Sequence, residues 1–194
     1  MEYGTKYLQW APFAKSNPEP DGALPNYGTA INVGEVAKVS DNPSFAEASA
    51  AGDNNATARY LRKFQQCPVD AEILDLLNAA ASAIFGSTLD ADTENKDLHY
   101  NIGDKAPYGG LAFYTEGQLK DGSTVYQGVF YPKIKANMQG KEYSTTGTSL
   151  SFSSSKIQFM AMSCNNGDWK ILSDPFATEA AAKAWVDAKL AAST

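Results

Sequence analysis

The stretch YGGLAFYTEGQLKDGSTVYQGVFYPKIK, residues 108–135, carries the clearest secondary-structure signal in the sequence. Residues 111–116 alternate, so odd-numbered and even-numbered side chains are expected on opposite faces of a β-strand. Asp121-Gly122 supplies the positive φ of a hairpin turn, and the alternation resumes over 124–135. These residues therefore predict an antiparallel hairpin at the centre of a β-rich domain.

Pro132 lies in the return strand of this hairpin and has no backbone N–H to donate. The strand is therefore expected to lie at a sheet edge at Pro132 or to bend there. A break in the alternation at Gly34 predicts a bulge or bend between two short strands. Further strands are predicted over residues 7–13, 30–33, 36–39, 45–51, 69–73, 143–152, 157–164 and 169–171.

Three segments have helical signals. A short helix is predicted over 56–64 after the capping residue Asn55. A second, alanine-rich helix over 76–85 follows Asp75 and is expected to be largely buried. At the C-terminus, Thr178 is the predicted cap of an amphipathic helix with apolar residues at helical spacing.

These elements add up to seven to nine strands, two short helices and one terminal helix. They predict one α+β domain over residues 1–194, with a β-sandwich or open β-barrel core and a C-terminal amphipathic helix. Two long loops connect the elements: residues 16–28, with three prolines, and residues 87–107, crowded with acidic side chains. Loops of such length inside a compact domain are often functional.

Composition argues against several classes of protein. The chain of 194 residues, 43% of them hydrophobic, is long enough for one well-buried domain. Its net charge of −6 argues against nucleic-acid binding by phosphate neutralisation, which needs clustered Lys and Arg. The N-terminus does not resemble a signal peptide, and no apolar stretch approaches the ~20 residues of a membrane span. Cys67 and Cys164 are expected to be small buried thiols of a protein made in a reducing cytoplasm.

Catalytic motifs are not found in the sequence. His99 is the single histidine, so any Ser-His-Asp or Cys-His arrangement must use it. It is interpreted as an ordinary loop residue. Residues 90–94 alternate oxygen-bearing side chains as a calcium loop does, but Asn95 stands where such a loop has glycine. No GxSxG, GxGxxG or Walker sequence is present. The sequence therefore predicts no catalytic, cofactor-binding or metal-binding residue, and a protein that is not an enzyme.

Aromatic residues are numerous, with ten tyrosines and nine phenylalanines. Many of them alternate along the predicted strands. They could form a carbohydrate-binding platform, but such residues more often fill a sandwich core or a subunit interface.

Four sets of segments carry a resemblance to a known family. They are VSDNPSFAEAS (39–49) with YLRKF (60–64), YGGLAFY (108–114) with VFYPKIK (129–135), YSTTGTSLSF (143–152), and NGDWKI (166–171) with FATEA (176–180) and the helix around 184–185. In this order, over nearly the whole chain, they resemble the major tail proteins of long-tailed bacteriophages, the tail tube subunits of the phi13-like kind.

The resemblance implies a β-sandwich subunit that forms hexameric rings, stacked into a hollow tail tube. Such a tube is built around a tape-measure protein, meets tail terminator and distal tail proteins, and conducts phage DNA without binding it specifically. Localisation in the virion tail after assembly in the bacterial cytoplasm is implied, with no membrane partner. The family has no catalytic residues to carry over.

Both long loops, 16–28 and 87–107, are expected to reach the next ring, and the acidic loop 87–107 carries the candidate contact residues Asp90, Asp92, Glu94, Tyr100 and Asp104. Three alternatives stay open. One is a tube subunit of a contractile tail or a phage-derived bacteriocin. Another is a monomeric carbohydrate-binding β-sandwich module, and the last is an enzyme.

Overall fold

The computed structural model of the protein describes residues 2–52, 55–91, 96–140 and 154–192. The described part of the protein is mostly β-sheet, with 51% of it in strands. The strands are β1 (Glu2–Pro12), β2 (Ile31–Asn32), β3 (Val36–Asp41), β4 (Ser44–Gly52), β5 (Asn55–Ile73), β6 (Thr88–Leu89), β7 (Leu98–His99), β8 (Tyr108–Gln118), β9 (Thr124–Met138), β10 (Ser155–Ala161) and β11 (Ile171–Leu172). The helices are α1 (Asn78–Phe85) and α2 (Glu179–Lys189).

One nine-stranded antiparallel sheet forms the body of the molecule. Its strand order is β2-β1-β8-β9-β10-β5-β3, while β11 pairs with β9 and β4 pairs with β5. The sheet curls into a half-barrel, and β1 and β3, near its two ends, contact each other. Of the two predicted architectures, the described residues therefore form the open barrel, because a sandwich needs two facing sheets.

The inner side of the curled sheet holds the larger hydrophobic core. One face of α1 fits against this side, where Ala81 and Ile84 are buried. Burying each large apolar side chain contributes roughly 1.5–3 kcal/mol, so this core is the main source of stability. The largest of its fully buried members are Leu8, Trp10, Ile73, Leu111, Tyr131, Ile134, Ile157 and Phe159.

A second, smaller core lies on the outer side, where α2 packs against β1, β8 and β9. Ala182, Val186 and Leu190 of the helical segment are buried there with Phe130. The helix begins as predicted, because the Thr178 hydroxyl oxygen accepts a hydrogen bond from the Ala181 amide at 3.4 Å. The C-terminal amphipathic helix is thus confirmed.

The hairpin of β8 and β9 confirms the central prediction. In β8, and in β9 before Pro132, odd-numbered residues such as Phe113 face the inner core and even-numbered residues such as Tyr114 face the outer core. Beyond Pro132 the order is reversed, and the even-numbered Ile134 faces the inner core. At Pro132 the pairing with β8 shifts register and leaves an extra residue in β9. The bend predicted there is correct, whereas the edge position is wrong, because β9 lies between β8 and β10.

The helix predicted over 56–64 is wrong. These residues belong to the 19-residue strand β5 and pair with β4, with Phe45 opposite Phe64 and Glu47 opposite Arg62. Pairing with the preceding strand β4 overrides helix propensity, which is a weak preference in a short segment. Sequence reasoning recognised β4 but not the strand that it pairs with.

The predicted helix over 76–85 is real but shorter. It begins after Leu77, which makes no side-chain cap hydrogen bond, so the predicted cap at Asp75 is wrong. It ends at Gly86 in the left-handed conformation, with φ 72°. Any side chain at Gly86 would collide with the carbonyl of Lys105, so glycine is required there.

The connection 87–107 is not structureless. Its described part contains the short hairpin of β6 and β7, with Thr88 opposite His99. The loop 16–28 has no strand within it, as predicted. The strand predicted over 143–152 lies outside the described residues, while Cys67 and Cys164 are buried free thiols as expected.

Candidate functional site

The hairpin of β4 with the first part of β5, residues 44–52 and 55–66, extends beyond the sheet body and is called the arm below. Residues 67–73 of β5 pair with β10, and residues 69–73 also pair with β3. Among the described strands, the arm pairs only within itself. Residues 46–51 and 59–63 are all exposed, including Tyr60 (58% exposed) and Leu61 (67% exposed).

A register shift aims the arm away from the sheet. Ser44 lies opposite Gln66 and Phe45 lies opposite Phe64, so Gln65 is the extra residue of a β-bulge. A bulge bends its strand and exchanges which side chains face inwards. Because of it, Phe64 turns towards the inner core, where it stacks on Trp169 with ring centroids 4.6 Å apart.

Aromatic contacts and one ion pair fix the base of the arm. Phe45 meets Phe64 edge to face at 5.8 Å, and the Arg62 guanidinium lies 3.9 Å from the centre of the Phe45 ring. Arg62 also pairs with Glu47 at 3.2 Å. Exposed contacts of this kind contribute about 1 kcal/mol or less each. They orient the arm rather than stabilise the fold.

A polar cluster ties the neighbouring end of β3 to the body. The Asp41 carboxylate accepts hydrogen bonds from the Tyr131 hydroxyl, at 2.7 Å, and from the Lys170 ammonium. Partial burial opposes ionisation of Asp41, but these two donors outweigh it and hold the pKa of that carboxyl below its usual value. Asp41 is therefore ionised at neutral pH and connects β3, β9 and the segment before β11.

The two faces of the arm differ in charge. One face carries Phe45, Glu47, Tyr60, Arg62 and Phe64, whose charges and rings satisfy one another. The opposite face, called the alanine face below, has no carboxylate among its described side chains. It consists of Ala46, Ala48, Ala50, Arg59, Leu61 and Lys63. No described carboxylate lies within ion-pairing distance of Arg59 or Lys63.

The predicted inter-ring residues do not converge on one site. Asp90 lies 3.3 Å from the His99 ring across the β6–β7 hairpin. Tyr100 packs edge to face against Phe85, with ring centroids 6.4 Å apart. Asp104 accepts a hydrogen bond from the Asn101 amide at 2.8 Å and closes a tight turn. Asp92 and Glu94 lie outside the described residues, as does most of the calcium-loop pattern.

Ile102 is a functional candidate that sequence reasoning missed. It lies at the tip of the turn closed by Asp104, and its side chain is fully exposed. Isoleucine is among the most commonly buried residue types, so this side chain would gain from being covered by a partner. Its position between Asn101 and Gly103-Asp104, all turn-forming residues, is the signal that could have revealed it.

Among the residues that the structure describes, no group of three His, Cys, Asp or Glu side chains is placed to hold a metal ion. No described helix is long and apolar enough to cross a membrane. Burial raises the pKa of both the Cys67 and the Cys164 thiols. These thiols are consequently protonated at neutral pH.

Comparison with known proteins adds no family. A scan against models of protein families finds no match, and a search of curated proteins finds none either. The function is therefore argued from the chain's own surfaces.

Proposed function

We propose that the protein is a structural subunit that assembles with copies of itself, and specifically the tail tube subunit of a long-tailed, non-contractile bacteriophage. The observation that carries the proposal is the arm. An isolated two-stranded hairpin is at best marginally stable in water, and unpaired strand edges promote association. Among the described strands, none pairs with either outer edge of the arm, and an arm of this kind with Tyr60 and Leu61 exposed is suited to a protein partner.

Several other features support self-assembly. The β3 edge of the half-barrel is unpaired on its outer side among the described strands, so a neighbouring sheet could continue it. Ile102 adds a second apolar contact point on the acidic connection. In this proposal the subunits close into hexameric rings, and the rings stack around a tape-measure protein between terminator and distal tail proteins. The net charge of −6 suits a lumen that repels DNA phosphates.

The test is the assembly state of the purified protein across concentration, by light scattering and negative-stain electron microscopy. Rings or tubes with a central channel are expected. A sheath around tubes in native particles would indicate the contractile alternative. A protein that stays monomeric at millimolar concentration and binds glycans would contradict the proposal and favour a carbohydrate-binding module.

Excision of the acidic connection tests the expected contact between rings. Gly86 lies against Lys105, so Ser87 can be joined to Lys105 once residues 88–104 are removed. The deletion variant is expected to keep the wild-type circular dichroism spectrum and to form no stacked tubes. If this variant formed normal tubes, the connection would not be part of the assembly surface, and neither would its residues Asp90, Tyr100, Ile102 and Asp104.

A further inference from the structure

A cleft at the open seam of the half-barrel has the opposite charge to the alanine face of the arm. It has a volume of about 470 Å³ and lies where β1, the turn after β2 and the start of α1 meet. Tyr7, Val36 and Leu77 give it apolar walls, and Glu35 and Asp75 give it two exposed carboxylates.

Backbone contacts hold together the two segments that carry these carboxylates. The Leu74 amide donates to the Glu35 carbonyl at 2.8 Å, and the Gly34 amide donates to the Asn32 side chain at 2.9 Å. Gly34 has φ 134°, and any side chain there would collide with the Asp75 carbonyl. Glycine at this position therefore brings Glu35 and Asp75 together at the mouth of the cleft.

No described cation compensates these two carboxylates. Lys6 also lines the cleft, but it pairs with Glu116 at 2.9 Å and lies 3.6 Å from Glu179. Glu35 and Asp75 form no ion pair among the described residues. The cleft and the alanine face thus each combine exposed apolar side chains with two uncompensated charges, of opposite sign.

The arm and the cleft of one chain cannot meet each other. The arm contains the first residues of β5, and Asp75 follows its last residue, Ile73. At roughly 3.3 Å per residue, the distance from Leu61 to Asp75 is on the order of 40 Å along one strand. An arm that occupies such a cleft must belong to another copy, and a contact between different surfaces produces rings or stacked filaments.

We propose that the alanine face of the arm docks in this cleft of a second copy of the chain, with Arg59 and Lys63 against Glu35 and Asp75 and with Leu61 against Leu77. This inference rests on the proposed self-assembly and names the two surfaces that meet. The contact is electrostatic at its rim and apolar at its centre, so assembly weakens as salt screens the charges.

Charge exchange tests the pairing. Arg59→Glu with Lys63→Glu, and separately Glu35→Lys with Asp75→Lys, are each expected to raise the concentration for half-assembly by about tenfold or more. The four changes in one chain restore the charge match and bring that concentration back to within about threefold of wild type. Asp121→Lys with Asp174→Lys, the same charge change on exposed residues elsewhere, leaves it unchanged.

Cysteine cross-linking tests the contact without charge effects. In a chain with Leu61→Cys and Leu77→Cys, mild oxidation is expected to give a ladder of covalent oligomers. Leu172→Cys replaces Leu77→Cys in the matched control, because Leu77 and Leu172 are both 54% exposed. The native thiols are buried and contribute little background. Circular dichroism establishes that each variant is folded.

The outcomes separate the two proposals. A wild-type protein that stays monomeric at every concentration overturns both. Wild-type assembly together with unchanged assembly of the Glu35→Lys, Asp75→Lys variant overturns the docking alone, and so does equal cross-linking of the Leu77→Cys chain and its Leu172→Cys control. Three results together establish the docking. Assembly weakens after charge reversal, assembly recovers after charge exchange, and a ladder of covalent oligomers forms with Leu77→Cys but not with Leu172→Cys.

Discussion

Residues 67–73 of β5 are enclosed by neighbouring strands of the same chain, whereas residues 59–63 of the same strand face solvent and, among the described strands, pair only with β4. Cys67, Val69, Ala71 and Ile73 are almost completely buried. On the other side of the bulge, the alanine face carries alanines, two cations and the exposed Leu61. One continuous strand thus combines a segment that the chain folds by itself with a segment suited to a partner.

The largest expected effect is on stability, and it compares residues 67–73 of β5 with the arm. Ile73→Ala leaves a cavity in the inner core and should lower the free energy of unfolding by about 2–5 kcal/mol. Leu61→Ala on the arm should change it by no more than about 0.5 kcal/mol. Urea denaturation of both variants measures the difference. Equal losses would mean that the arm is part of the folded core.

The second prediction concerns the junction at Asp41. Asp41→Asn removes a charged acceptor from Tyr131 and Lys170 and should cost about 1.5–3 kcal/mol at pH 7. Because the pKa of Asp41 is lower folded than unfolded, its contribution is complete above the unfolded value of about 4 and is lost as pH falls through the folded value.

Denaturation of wild type and Asp41→Asn from pH 7 to pH 2 checks this dependence. The stability difference between them should shrink as the solution is acidified below about pH 4. A difference that stays constant with pH would contradict the assigned role of the carboxylate.

Trp169 provides a smaller and more local effect. Trp169→Ala removes the ring that stacks on Phe64, an interaction of about 0.5–1.5 kcal/mol beyond its buried area. The arm should then open more often, and trypsin should cleave after Arg59, Arg62 or Lys63 about two to ten times faster. Trp185→Ala, which removes a ring from the other side of the sheet, should leave arm cleavage unchanged.

The smallest effect is expected within the arm itself. Arg62→Gln removes the ion pair with Glu47 and the contact with the Phe45 ring, at a cost of less than about 1 kcal/mol. Because Arg62 lies on the face opposite to Arg59 and Lys63, assembly should weaken less than with Arg59→Gln. Sedimentation velocity compares how far Arg62→Gln and Arg59→Gln each weaken assembly. If Arg62→Gln weakened assembly more, the arm would dock through the face that carries Arg62 and not through the alanine face.

The sequence predicted the parts of the fold that local patterns control. Alternation over 111–116, the Asp121-Gly122 turn and the Thr178 cap each depend on a few neighbouring residues, and each is present. The β5 strand was missed over 56–64 because its conformation depends on pairing with β4, which composition does not encode. Without this strand the arm could not be predicted, so the expected contacts were placed on the two long loops, with all the named residues in the loop 87–107.

The cleft could not be predicted for a similar reason. Glu35 and Asp75 are 40 residues apart in the chain and meet only because β3 pairs with the end of β5. The break in alternation at Gly34 was recognised as a bend. Which residues the bend brings together depends on the pairing of β3 with β5, and a local sequence pattern does not show that pairing.

The central claim is that the arm is an element for assembly rather than for folding. Its most direct test is sedimentation velocity of a variant in which residues 46–63 are replaced by Asn-Gly, which can join Phe45 to Phe64 because these residues lie opposite each other. The account predicts a monomer with wild-type thermal stability at concentrations where the wild-type protein forms large assemblies. Wild-type assembly by the armless variant, or its failure to fold, would contradict the claim.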